Sequence, residues 1–170
     1  MSHTTRPPRA KEQNGINYHF VTQEEFAKML AENTFLEYAR VFDNYYGTSK
    51  PWVLEQLQAG TNVILEIDWQ GARQIRSLHP DNVSIFIVPP SRNTLYLRLS
   101  KRAQDSEEVI ARRMRDAILE MSHYSEFDYL IVNDNFDKAL VDLRTIVRSR
   151  RLLQRLQAQK MQTMLADLLT

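Results

Sequence analysis

Three short apolar runs constrain this chain more than anything else in it: "NVILEID" (62–68), "VSIFIVPP" (83–90) and "YLIVND" (129–134), each separated from the next by helix-forming sequence. Strands that are almost continuously hydrophobic are covered on both faces, and strands alternating with helices favour a parallel sheet with right-handed crossovers. The expectation is an α/β core with helices on both faces. The helices fall near Gln70 to Leu78, from Ser91 after the "PP" pair, from about Ser106 to Tyr124, and from near Phe136 almost to the end. In the last of these Leu140, Leu143, Val147, Leu153, Leu156, Met161, Met164 and Leu168 fall roughly in a rhythm of three to four, read as core packing followed by a solvated or self-associating extension.

The first sixty residues have a different grain. "NYHFV" (17–21) reads as a strand, and Thr22 with Glu25 three residues on makes a capping box opening a helix to about Ala31. Phe35 to Phe42 alternates as a strand with one wet face, and "DNYYGTSK" then reads as a turn. Ser49 before Pro51 starts a helix that Gly60 closes. Before all of this lies "SHTTRPPRAKEQ", read as a rigid cationic loop: Pro7 and Pro8 fix their own φ and push the preceding residues extended, so Arg6 and Arg9 are held rather than loose.

At 170 residues the chain fits a single domain. Its 22 basic and 21 acidic residues leave no global charge to attract nucleic acid or an anionic membrane, so neither is expected as a partner. It has no cysteine, which removes disulfides and thiolate chemistry, and no apolar run long enough to span a bilayer. A cytoplasmic protein is the expectation.

Four constellations could carry chemistry. Arg6 and Arg9, with Tyr18 and Tyr46 of "NYYG", are a recipe for a phosphate monoester; the plainer alternative is a basic tail and core tyrosines. Glu66 and Asp68 end an apolar strand two residues apart, on one side of it, where ligands of open α/β sheets bind; capping the next helix is the alternative for Asp68. Glu37 in "FLEYARVF" could accept the paired N–H edge of guanine, which adenine lacks, or be an ordinary exposed strand glutamate. Arg98 and Arg102, followed by Arg112, Arg113 and Arg115, suit a mobile lid that neutralises phosphate charge, or a solvated helical hairpin. His3, His19, His79 and His123 show no metal-ligand spacing.

Taken in order, "SHTTRPPR", "NYHFV", "FLEYARVFDNYYGTS", "EIDWQGARQIR", "SIFIVPPS", "DSEEVIARRM" and "YLIVND" resemble guanylate kinase, most closely the bacterial enzymes, over residues 2 to about 150. The resemblance implies a P-loop-kinase-type fold, with a parallel sheet core, a small mixed or antiparallel GMP-binding subdomain and a helical lid. It also implies transfer of a phosphoryl group from ATP to GMP with Mg2+, giving ADP and GDP. In this reading 1–16 is the GMP phosphate loop, 17–48 the GMP-binding subdomain, 49–94 core, 95–115 lid, 116–150 core and 151–170 a helical extension. By motif, Ser2, Glu37, Thr48 and Asp68 would read guanine, while Arg6, Arg9, Tyr18 and Tyr46 hold its phosphate. Glu12 and Glu66 would stand near the acceptor phosphate and metal water, Arg98, Arg102 and Arg113 would be the lid arginines, and Asn133 would lie near adenine.

Two departures stand out. The family usually opens with a strand and a "GPSGAGK"-type loop, whereas here the glycines fall at 15, 47, 60 and 71, none in a G-x-x-x-x-G-K frame. The N-terminal strand and P-loop are therefore expected to be missing, through a late start, trimming or a natural truncation, and kinase activity of this chain to be impaired. In the lid, "SKRAQ" puts Lys101 and Ala103 where the family often has glycine. The reading from another class is a binding module of the guanylate-kinase-like type, which uses the same cleft for phosphopeptides.

Overall fold

The computed structural model describes residues 2–41, 43–102 and 107–170, the side chain of Arg102 excepted. The chain divides into two compact units, Met1–Val83 and Ser84–Thr170.

The first unit is built on a four-stranded sheet of β1 (Ser2–Thr4), β2 (His19–Phe20), β3 (Phe35–Val41) and β4 (Asn44–Ser49) in the order β2-β1-β4-β3. β1 runs parallel to β2, and β4 runs antiparallel to both β1 and β3. Two sequence expectations change here. "DNYYGTSK" is not a turn but contains the central strand β4, and the supposed loop at the chain's beginning opens with β1. Glycine and polar residues in β4 obscured it, yet Gly47 has a tertiary reason: a Cβ there would come within 2.8 Å of the Phe35 ring. Phe35 in turn stacks on Phe26 at 4.5 Å, which stacks on Tyr45 at 5.5 Å. This aromatic column fills one side of the sheet.

Helix α1 (Gln23–Ala31) starts at the expected Thr22–Glu25 capping box. α2 (Lys50–Gln58) is capped by Ser49, and Gly60 at φ +75° follows its end, as the sequence implied. α3 (Trp69–Leu78) is capped by Asp68. The expected strand at 62–68 forms no ladder. Val63, Leu65 and Ile67 still pack on the core of Leu36, Val53 and Ile75, while Ile64 is 74% exposed. The run is extended with period-two alternation, but a strand also needs a hydrogen-bonded neighbour, and this one has none among the described residues.

In the second unit β5 (Ile85–Val88) and β6 (Tyr129–Val132) pair in parallel, joined through α4 (Arg92–Arg102) and α5 (Glu107–Ser122). Ser84 donates from both its N–H and its hydroxyl to Asp128 at 2.8 Å, pinning the entry to both strands. Ile131 is buried, but Leu130 and Val132 on the opposite face are about half exposed (50% and 51%), so the expectation of cover on both faces fails in this unit. The long C-terminal helix is also corrected to α6 (Phe136–Arg151), α7 (Gln154–Lys160) and α8 (Gln162–Leu168). The apolar rhythm skips from Val147 to Leu152. Arg148, Arg150 and Arg151 complement the negative end of α6, and Gln157 donates to the Arg151 carbonyl at 2.7 Å, so the helix end is chemically satisfied there.

Candidate functional site

Sheet register builds the site in the first unit. Ser2 on β1 lies opposite Thr48 on β4, and Thr48 lies opposite Glu37 on β3, so three polar side chains form one row across three strands. The next row on the same face is Thr4, Tyr46 and Ala39. With the extended segment ending in Glu66, Ile67 and Asp68, the first row and Tyr46 and Ala39 of the second line an open cavity of about 280 Å³. Seven residues named from sequence meet there: Ser2, Tyr18, Glu37, Tyr46, Thr48, Glu66 and Asp68. Ala39, Val41, Gly47 and Ile67 add the remaining wall.

Glu37 is buried to 3% exposure, so the reading of it as an ordinary exposed strand glutamate fails. The Thr48 hydroxyl donates to its Oε1. Burial, and secondarily the charge of Asp68, push its pKa above the usual carboxylate range against the pull of the Thr48 bond. Three carboxylates on one cavity, Glu37, Glu66 and Asp68, with Glu37 desolvated, favour a ligand that brings N–H donors. Asp68 caps α3 and also lines the cavity: Oδ1 accepts the Gly71 N–H and Oδ2 accepts from Gln70 Nε2, each at 2.9 Å.

Arg6 is braced rather than loose. Its Nη2 meets Glu12 Oε1 at 2.9 Å, its Nη1 donates to the Pro7 carbonyl at 2.6 Å, and its guanidinium lies 5.8 Å from the Tyr18 ring centre and 5.7 Å from that of Phe20. Burial works against its charge, but Glu12 and the Tyr46 hydroxyl outweigh it and raise its pKa. The Arg9 N–H, then the Arg6 charge, hold the Glu12 carboxyl below its ordinary range. Burial raises the Tyr18 phenol, keeping it a neutral donor. The Arg9 side chain is 74% exposed and does not line the cavity.

In the second unit Arg98 Nη2 donates to the Asn133 carbonyl at 2.9 Å, and the Asn133 N–H donates to Val88 at 2.8 Å, so both meet at the carboxyl ends of β5 and β6. Arg113 lies on α5. The Arg102 side chain, Ala103 and part of the expected lid lie outside the described residues.

Sequence reasoning missed Gly71, Gln70 and Gln74 of α3. A glycine inside a helix costs about 1 kcal/mol relative to alanine, and that anomaly in "WQGAR" was the available signal for Gly71. The glutamines left no trace in composition or spacing, because their partners on β3 are backbone atoms thirty or more residues away.

Among the described residues no helix is long and apolar enough to cross a membrane. Comparison with known proteins adds a consistent picture. The family model described as guanylate kinase matches residues 1–150. The chain is 60% identical to a guanylate kinase of Methylococcus capsulatus, over 99% of this chain and 83% of the relative. It is 56% identical to that of Vibrio parahaemolyticus, over 99% and 82%. The crystal structure of guanylate kinase from Anaplasma phagocytophilum superposes with a TM-score of 0.79 at 32% identity, covering 90% of this chain and 75% of that one.

Proposed function

Because the chain belongs to the guanylate kinase family, and is by that membership a nucleoside monophosphate kinase, we propose that the cavity of its first unit is the GMP site and that its ligand accepts a phosphoryl group from ATP. The observation that carries this is the buried Glu37 carboxylate, set by Thr48 and facing the same cavity as Asp68, with Tyr18 and Tyr46 lining it and Arg6 against the Tyr18 ring. Guanine offers N1–H and N2–H on one edge, which a single carboxylate accepts bidentately; adenine presents an acceptor there and leaves the carboxylate unpaired. The arginine and the tyrosines then take the phosphate monoester.

In the reaction an oxygen of the GMP phosphate attacks the γ-phosphorus of ATP and ADP leaves, so the protein's task is to align and to neutralise charge. Arg98, Arg102 and Arg113 are proposed for that second task and Asn133 for the adenine side. Magnesium, when bound, neutralises phosphate charge. Such an ion binds mainly phosphate oxygens and water with one or two carboxylates; Glu12 and Glu66 would stand near its waters and the acceptor phosphate. With no G-x-x-x-x-G-K frame in its 170 residues, this chain is proposed to bind GMP well and to transfer phosphoryl groups poorly.

Calorimetric titration with GMP, AMP and ATP with Mg2+, joined to a coupled assay for ADP release, tests both parts. GMP binding with AMP rejected is the expected result. Equal or absent binding of the two monophosphates overturns the site, and rapid turnover overturns the impairment.

A further inference from the structure

β3 is the outer strand of the four-stranded sheet, so every second residue turns an N–H and a C=O away from the ladder. At Tyr38, the residue after Glu37, both outward groups are taken by one side chain of α3. Gln74 Oε1 accepts the Tyr38 N–H at 3.2 Å, and Gln74 Nε2 donates to the Tyr38 carbonyl at 2.7 Å. This amide makes the pair of bonds that a neighbouring strand would have made.

One helical turn earlier Gln70 repeats the device more loosely, donating to the Arg40 carbonyl at 3.3 Å and to Asp68 at 2.9 Å. Gln74 Nε2 also reaches the Gln70 carbonyl at 3.3 Å, so the two are linked. Between them on the same helix is Gly71, whose missing side chain leaves the space that the Glu37 carboxylate fills. The contact is therefore a seam of backbone-to-amide bonds with the cavity's two buried-side carboxylates at its margin. Such a seam fixes the distance between β3 and the start of α3, and these are the elements that carry Glu37 and Asp68.

We propose that Gln74 is a positioning residue for base selectivity: its two bonds to Tyr38 hold β3 against α3 so that Glu37 meets the guanine edge. This deepens the GMP reading above and rests on it. Glutamine suits the role because it carries a donor and an acceptor on one plane without charge; an added charge beside Glu37 and Asp68 would disturb both.

GMP and IMP distinguish a positioning role from a merely structural one, since IMP lacks only the N2 amino group. The full chain and Gln74→Met are titrated with each nucleotide. The wild type is expected to prefer GMP, and the variant to lose about tenfold in GMP affinity but less in IMP affinity, since IMP offers Glu37 the N1–H alone, so that the preference narrows. A parallel loss for both nucleotides, or an unchanged ratio, overturns the proposal. If the wild type itself shows no preference, the GMP reading fails first and the proposal with it. Gln74→Asn, which stays uncharged but falls one methylene short of Tyr38, provides the same ratio should the methionine variant not fold. Ser77→Ala, on an exposed turn of the same helix, is expected to leave both affinities unchanged.

Discussion

Gly71 lies directly against the carboxylate of Glu37: a Cβ on Gly71 would stand 3.2 Å from Glu37 Cδ, closer still to Oε2, and 3.2 Å from the Ile67 Cβ. The buried acid of the cavity and the helix start behind it are thus fitted to each other at the level of one methyl group. Gly71→Ala is expected to gain helix propensity and still lose function, because Glu37 must leave its place beside Thr48. GMP affinity should fall at least about tenfold, as for one charge-assisted hydrogen bond lost, with phosphate binding retained; titration with GMP and with ribose 5-phosphate reads the two separately.

Glu37→Gln separates stability from recognition. Burial raises the Glu37 pKa, so the folded state takes up a proton more readily than the unfolded one. That cost to folding is fully present above the raised folded value and is relieved as pH falls through it towards the unfolded value. The neutral amide should therefore raise the unfolding temperature at pH 7. It should weaken GMP about a hundredfold, since two bonds to a charged acceptor are lost or weakened. In the wild type, GMP affinity should weaken as pH falls through the same range. Paired thermal melts and titrations check all three.

The phosphate end should respond to changes that the base end ignores. Arg6→Ala is expected to cost about a hundredfold in GMP affinity and leave guanosine affinity unchanged. Glu12→Gln keeps the side chain and loosens its hold on Arg6, so its effect should be smaller but of the same selectivity. A loss of guanosine binding in either variant would mean that the loop supports the whole cavity.

His3 predicts the acid side of the stability curve. Its ring stacks on His19 at 4.7 Å and meets Phe35 edge-on at 5.7 Å, with Nδ1 buried and unpartnered. Burial, then the neighbouring His19, lower its pKa from 6.5 to about 4. The unfolded chain therefore binds the proton first, and stability present above pH 6.5 is lost progressively down to about pH 4, with a slope of one proton. His3→Phe, which fills the aromatic column without titrating, should flatten that part of a urea-midpoint profile against pH.

Legibility in the sequence followed the range of the interactions. The Thr22–Glu25 box, the Ser49 cap and the Gly60 terminus lie within a few residues of what they act on, and the structure places each as read. β4 was not legible, because "NYYGTS" carries turn residues whose fitness for a strand depends on the Phe35 ring over Gly47. The run at 62–68 failed the other way: its side chains alternate as a strand's do, but backbone pairing needs a partner that composition cannot supply.

Taken alone, the residues determined where the capped helices α1 and α2 start and the chemistry on offer: arginines, tyrosines and carboxylates recurring in the order of one family's motifs. Only the tertiary structure decided which of those groups share a site. Register across β1, β4 and β3 aligns Ser2, Thr48 and Glu37, though 46 positions separate the first two in the chain. Packing of α3 against the β3 edge buries Glu37 and enlists Gly71 and Gln74. The physical reason is that capping and turn bonds close within a few residues and are written locally. Burial, register and the pKa shift that follows from them depend on surfaces far apart in sequence, which acquire meaning only when the chain brings them together.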